Sequence, residues 1–294
     1  MLKICVIGDA MLDIYVNGTV QRISPEAPVP LLSAQRENVK AGGAANVALA
    51  MVELGHDVTF VTRIGNDRSG NKLIKILEAE GVLVESLDPN YPTITKTRYM
   101  ASKSQILRVD REDCSEFSGE ITKSFSDFDA IMVSDYGKGM ITKNIFAKLR
   151  ADYLGEIFVD PKASDASVYY GANYIFPNIK ELLAWFPENT QLNDAEIFRL
   201  KEEMNWRNLI NTRSEKGIRA FLKTSIANFE SKHEEIIDVT GAGDIVLSVF
   251  THCILSGDNT ERALVVANQC AGDACMHVGT WYPKKNHMEK YREI

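Results

Sequence analysis

Residues 238–255 read Asp238-Val-Thr-Gly-Ala-Gly-Asp244 and then Ile-Val-Leu-Ser-Val-Phe-Thr-His-Cys-Ile-Leu255, a glycine-rich turn running straight into an apolar helix. Gly241 and Gly243 permit tight backbone geometry and close approach by a ligand. The free N–H groups of the first helical turn point outward, and the helix dipole adds partial positive charge there. Together they form a site for an anion such as a phosphate. A carboxylate beside such a hole, Asp244, could take a proton from a hydroxyl while the hole holds the developing charge. The plainer reading is an aspartate capping an ordinary glycine-rich helix start.

Upstream of this turn, short apolar runs alternate with longer amphipathic stretches. Ile4–Ile7, Val58–Val61, Ala130–Val133, Ile157–Val159 and Tyr174–Phe176 read as strands, several of them apolar throughout, as strands covered on both faces are. Ala44–Leu54, Gly70–Glu80, Lys143–Leu149 and Lys180–Phe186 read as helices, and Gly243–Leu255 and Glu261–Val278 close the chain as two more. The alternation predicts an α/β fold with a mostly parallel sheet and helices on both faces. The 294 residues, 45% hydrophobic and 25% charged, exclude a disordered or collagen-like chain. A net charge of −7 leaves no basic field for nucleic acid. Five cysteines without a C-x-x-C pair argue against a disulfide framework or zinc site and for a reducing compartment. The N-terminus reads as a first strand rather than a signal peptide, and no run reaches the length of a membrane span. A cytoplasmic protein is expected, with no membrane partner.

Two segments break the rhythm. Ile23-Ser-Pro-Glu-Ala-Pro-Val-Pro30 carries three prolines, excluding a helix or central strand, and leads into a short extended piece, Leu31–Ala34. Thr93–Met100 and Gln105–Asp110 read as two strands around a polar turn. These excursions, at about 12–40 and 90–111, form either a surface hairpin or a lid on a single domain spanning 1–294.

Asp238–Asp244, with Ala41-Gly-Gly-Ala-Ala-Asn46 in the expected order before it, resembles the two signatures of the PfkB, or ribokinase-like, carbohydrate kinases. The resemblance covers essentially the whole chain. It implies a three-layer α/β/α sandwich with a small β-sheet lid, and phosphoryl transfer from ATP to a sugar. It makes Asp244 the catalytic base, and the N–H groups of Gly241, Ala242 and Gly243 the anion hole. Asn178-Ile-Lys-Glu181 fits the family's N-x-x-E motif, which acts on Mg2+, through water, and on the nucleotide phosphates. Hard magnesium prefers oxygen ligands, and an i, i+3 pair shares one helix face. The same residues also read as a capping box. Thr212-Arg-Ser-Glu-Lys-Gly217 resembles the nucleotide-binding loop, with Thr212 and Gly217 lining the nucleotide. Asn268, with Ala271 and Gly272, matches the helix beside the adenine, or else is a polar face with small packing residues.

A narrower resemblance lies in Ile23–Pro30, Pro92–Arg98, Ser134-Asp-Tyr-Gly-Lys-Gly139 and Val159-Asp-Pro-Lys162. These are similar to the D-glycero-D-manno-heptose-7-phosphate kinases of lipopolysaccharide precursor synthesis, often fused to a nucleotidyltransferase carrying H-x-G-H. That motif is absent from this sequence, so a stand-alone kinase or kinase half is expected. The implied sugar contacts are Asp9, Asp13, Gly42, Gly43 and Asn46. Arg98, Arg108, Lys162 and Lys138 are candidates for a sugar phosphate, although each alone also reads as a surface charge. A homodimer through the lid is implied as well. Ile245, and the bulky Trp281-Tyr282, depart from the family's pattern beside the nucleotide. His56, His233, His252, His277 and His287 show no ligand spacing and are given no catalytic role. The alternatives are another sugar kinase of the family, such as a fructokinase or ketodeoxygluconate kinase, and a non-catalytic sugar- or nucleotide-binding homologue. A dinucleotide-dependent oxidoreductase is disfavoured, since no G-x-G-x-x-G follows the first strand.

Overall fold

In the computed structural model, which describes all residues except 103, 189, 232–236, 278 and 293–294, the chain opens with β1 (Lys3–Gly8), β2 (Ala10–Ile23), β3 (Pro30–Gly43), α1 (Ala44–Glu53), β4 (Asp57–Thr62), α2 (Arg68–Ala79) and β5 (Leu83–Ser86). It continues through β6 (Thr95–Ala101), β7 (Ser104–Arg111), β8 (Ala130–Ser134), α3 (Lys143–Asp152), β9 (Glu156–Asp160), β10 (Tyr174–Ile175) and α4 (Ile179–Ala184). It ends with α5 (Asp194–Glu203), β11 (Asn208–Thr212), β12 (Ile218–Phe221), β13 (Ile226–Phe229), α6 (Ala242–Leu255), α7 (Thr260–Cys275) and α8 (Met288–Arg292).

Nine strands form the central sheet in the order β13-β12-β11-β10-β9-β8-β1-β4-β5. All neighbours are parallel except the β11–β12 and β12–β13 pairs. Successive side chains of a strand point to opposite faces, and β1 shows the consequence. Ile4 and Val6 join a core with α1, α2, α6 and α7, whereas Cys5 and Ile7 join a second core with α3 and α5. Covering on both faces is why these strands carry unbroken apolar runs such as Ile4–Ile7 and Ala130–Val133. The α/β expectation therefore holds. Among the described residues no helix is long and apolar enough to cross a membrane.

Helix α6 is seated by aromatic contacts. Phe250 meets Phe158, Tyr174 and Phe176 edge-on at 6.2, 5.1 and 5.2 Å, and Tyr174 stacks on Phe158 at 4.8 Å. Such geometry contributes beyond area alone. It fixes the helix against β9 and β10, so its first residues project beyond the C-terminal ends of the parallel strands.

A second sheet, β3-β2-β6-β7, is built from the two excursions. Here the structure adds one detail and corrects another. Asp13, named above only as a sugar contact, lies within a 14-residue strand, and residues 10–43 form one long hairpin rather than a short extended piece. Pro25 and Pro28 occupy only the turn, and Pro30 takes the first position of β3, where a strand tolerates proline. Gly42 lies across from Met11, and any Cβ there would collide with the Asp13 carboxylate.

Truncating the anchor of α6 tests this seating. Phe250→Ala should lower stability by about 3–5 kcal/mol, the usual cost of deleting a buried aromatic ring, read as a reduced urea midpoint. An unchanged midpoint would mean that α6 is held by other contacts.

Candidate active site

The C-terminal ends of parallel strands are where α/β folds bind ligands, and acidic residues cluster at those ends here. Asp9 follows β1, Asp135 follows β8 and Asp160 ends β9. Asp244 meets them from the first turn of α6. Gly241 precedes that helix with φ +79°, a left-handed conformation suited to glycine. The Ala242 N–H donates to the Val239 carbonyl at 3.2 Å. The N–H groups of Gly241, Gly243 and Asp244 meet no protein acceptor among the described residues. Of the three groups expected to form the hole, Gly241 and Gly243 are thus open and Ala242 is engaged. Asp238 braces the turn by accepting from the N–H groups of Thr240 and Gly279, each at 2.9 Å.

Asp244 is only 2% exposed. Its Oδ1 accepts the Tyr136 hydroxyl at 2.8 Å, and its Oδ2 accepts Asn46 Nδ2 at 3.1 Å. The Asn46 Oδ1 in turn accepts the Tyr282 hydroxyl at 3.0 Å. Burial pushes the Asp244 carboxyl up to about 6, and the bonds from Tyr136 and Asn46 restrain the rise. A buried carboxyl that titrates near neutrality fits a general base.

Asp9, expected as a sugar contact, braces a loop. Its carboxylate accepts three backbone N–H groups of the loop after β8: Tyr136 at 2.9 Å, Lys138 at 3.1 Å and Met140 at 3.1 Å. It fixes the loop that carries Tyr136 to Asp244. Asp135, in the same loop, accepts the Tyr169 hydroxyl at 2.5 Å and the Gly137 N–H at 2.7 Å, and burial raises it to about 6.

A cavity of about 460 Å³ opens from Asp244 along α6. The expected nucleotide residues Asn178, Glu181, Thr212, Gly217 and Asn268 all line it, together with Lys162, Ala271 and Gly272. Asn178 and Glu181 do form a capping box. Asn178 Oδ1 accepts from the N–H groups of Lys180 and Glu181, and Glu181 Oε2 accepts from the Asn178 N–H at 2.9 Å. Lys162 Nζ pairs with Glu181 Oε1 at 2.9 Å. Asn268 Nδ2 donates to the Glu230 carbonyl at 3.0 Å, tying α7 to the end of β13. The Asp160 carboxyl is held well above the usual carboxylate range by burial, then by Asp244 and Glu181. Among the described residues no three acidic, histidine or cysteine side chains gather into a metal cage. Two carboxylates facing an open helix start fit a hydrated divalent cation shared with phosphates better than a cation bound by protein alone.

Asp13, Gly42, Gly43 and Arg98 lie on the second sheet or at its end. Arg98 Nη1 pairs with Asp13 Oδ1 at 2.5 Å. Arg108 is on the outer strand β7, bound through two nitrogens to Asp110, and does not line the cavity. Lys138 pairs with Glu112 at 2.8 Å. His56 and His252 face each other at 2.9 Å, far along α6 from Asp244, and His277 stacks on Trp281. His233 and the side chain of His287 lie outside the described residues. Sequence reasoning missed Asp135, Tyr136, Asp160 and Tyr282. The first three each follow or end a strand built on an apolar run, Ala130–Val133 or Ile157–Val159, and that position was the available signal.

A family model described as pfkB family carbohydrate kinase matches residues 1–286. A protein of Geobacter sulfurreducens named bifunctional protein HldE is 37% identical over 294 residues, covering 94% of this chain and 60% of its own length. Its namesake in a Nitratiruptor species is 35% identical over 300 residues, covering 98% and 64%. The chain thus spans about three fifths of the length of these relatives. Among solved structures, a ribokinase from Thermotoga maritima aligns over 100% of both chains with a TM-score of 0.79 and 21% identity. The Arabidopsis thaliana ribokinase complexed with ribose and ATP gives 0.78 and 19%, covering 100% of this chain and 99% of its own. The three-layer ribokinase-like fold expected from the sequence is confirmed.

Asp9→Ala leaves three backbone donors without their acceptor. It should cost about 3 kcal/mol or more in urea unfolding, with Asp9→Asn falling between it and the wild type. If Asp9 only contacted sugar, both variants would unfold at the wild-type midpoint.

Proposed function

Because this chain belongs to the pfkB family of carbohydrate kinases, we propose that it transfers the terminal phosphoryl group of ATP to a sugar hydroxyl, with the C1 hydroxyl of D-glycero-D-manno-heptose 7-phosphate as acceptor and the 1,7-bisphosphate as product. The observation that carries the kinase reading is Asp244, buried at the start of α6 beside backbone N–H groups with no protein acceptor. The heptose assignment rests on the excursion motifs and on the similarity to proteins named bifunctional HldE.

In this reading Asp244 Oδ1 receives the acceptor's proton. The freed oxygen bonds to the γ-phosphorus, the bond from that phosphorus to the β–γ bridging oxygen breaks, and ADP leaves. The N–H groups of Gly241 and Gly243 hold the phosphoryl oxygens, so most of the catalysis is positioning and electrostatics. Asn178 and Glu181, with Asp160 nearby, would hold through water a magnesium ion, which supplies positive charge beside the phosphates. Thr212, Gly217 and Asn268 line the cavity that takes the nucleotide. The second sheet acts as the lid, and its exposed Ile23, Val29 and Leu107 support pairing of two lids in a homodimer. Five free cysteines support a reducing, cytoplasmic setting.

The test is ADP release with ATP, magnesium and heptose 7-phosphate, run beside fructose, ribose and ketodeoxygluconate. Turnover should be strongest with the heptose phosphate and fall by roughly 10²–10⁴-fold in Asp244→Asn. A better unphosphorylated acceptor would discard the heptose and keep the kinase. Turnover with none of them would favour a binding homologue.

The base works only when ionised. With Asp244 raised to about 6, kcat/KM should be flat at neutral pH and fall about tenfold per pH unit well below 6. A flat profile down to pH 5 would remove Asp244 as the base.

A further inference from the structure

Both oxygens of the Asp244 carboxylate are already taken by protein donors, yet a base must turn one oxygen toward its substrate. The two donors differ in how firmly they are held. Asn46 lies within α1, is 6% exposed and is itself fixed by Tyr282. It does not line the cavity. Tyr136 lines the cavity, sits on a loop, and is anchored through its backbone N–H to Asp9 rather than through its ring. The hydroxyl is its one polar side-chain group, and Asp244 is its acceptor. A sugar hydroxyl is the same kind of group, a neutral O–H donor, so exchanging one for the other on Oδ1 conserves the hydrogen bond. The ring also packs against Met11, Tyr91 and Ile94, at the root of the second sheet. A shift of that sheet over an acceptor would therefore reach the phenol directly.

We propose that the Tyr136 hydroxyl holds the acceptor's place on Asp244 Oδ1 and is displaced by the sugar hydroxyl that is to be phosphorylated. Tyr136 is then a positioning residue that exposes the base only when an acceptor arrives. Without a sugar, the phenol keeps water from the one oxygen that could activate it toward the phosphoryl group. This inference rests on the kinase reading above.

The experiment compares wild type with Tyr136→Phe, which keeps the ring and removes the hydroxyl. ATP hydrolysis without sugar, divided by sugar-dependent turnover, should rise about tenfold, the factor carried by one hydrogen bond to a charged group. The Tyr136 bond also lowers the Asp244 pKa. Its loss should therefore move the acid limb of the kcat/KM profile to higher pH, a change that a merely structural role would not produce. In wild type labelled at tyrosine Cζ, the Tyr136 carbon resonance should shift when acceptor is added, a readout independent of whether the variant folds. An unchanged hydrolysis ratio, an unmoved acid limb or a static Tyr136 resonance in an active enzyme would overturn the displacement alone. A wild type inert toward every sugar would overturn the kinase reading and the displacement with it.

Discussion

Asp244 is a carboxylate with 2% of its surface left to solvent, and an ionised carboxyl taken out of water is costly unless protein donors replace its hydration. Each oxygen has one such donor, and those two bonds organise much of the surrounding chain. Asn46 is delivered by α1, whose start is set by the end of β3. Tyr136 is delivered by the loop after β8, whose path is set by Asp9 at the end of β1. Three strands that are distant in sequence therefore converge on one side chain. The parallel pairing of β1 with β8 puts the C-terminal ends of those two side by side, and the end of β3 reaches them from the second sheet.

The same convergence explains the acidic character of the site. Asp160, Asp135, Glu181 and Asp244 stand close enough that Asp244 and Glu181 help hold the Asp160 carboxyl above its ordinary range. Against them stands Lys162, paired to Glu181. An excess of carboxylates suits positive charge delivered with a nucleotide. The cations on and around the second sheet are matched differently. Arg98, Arg108, Lys96 and Lys138 each have a carboxylate partner in Asp13, Asp110 or Glu112. In the proposed heptose reading, a phosphate on the acceptor would compete with those carboxylates, so its recognition would involve an exchange of partners.

Much of this was legible in the sequence because it depends on local patterns. The apolar runs became the central strands, the glycine-rich turn became the start of α6, and Asn178-x-x-Glu181 became a capping box. What was not legible depends on contacts between distant residues. The strand that carries Asp13 went unseen because, with polar Asp13, Tyr15 and Asn17 alternating with Leu12, Ile14 and Val16, it is half-covered and shows no continuous apolar run. Asp9 could be placed near the sugar by resemblance, but its bonds to Tyr136, Lys138 and Met140 join positions 127 to 131 residues apart in sequence and leave no trace in its neighbours. Tyr136 is one polar residue after a strand, and only the fold shows that it reaches across to α6.

The burial of Asp244, the proposed base, also carries a stability cost, which the core must offset. A carboxyl moved from its ordinary 3.8 to about 6 makes its ionised form about 3 kcal/mol less favourable in the fold than in the unfolded chain. The penalty is absent below about pH 4, where Asp244 is protonated in both states, and reaches full size as pH rises through about 6. At neutral pH, then, the fold holds Asp244 in the form that burial disfavours. The Phe250 contacts with Phe158, Tyr174 and Phe176 lie less than two turns along the same helix, and burying one such ring is worth about as much as the penalty. The apolar run after the glycine-rich turn is therefore part of the chemistry: it keeps α6 seated while the first turn holds a charge that water would otherwise take back.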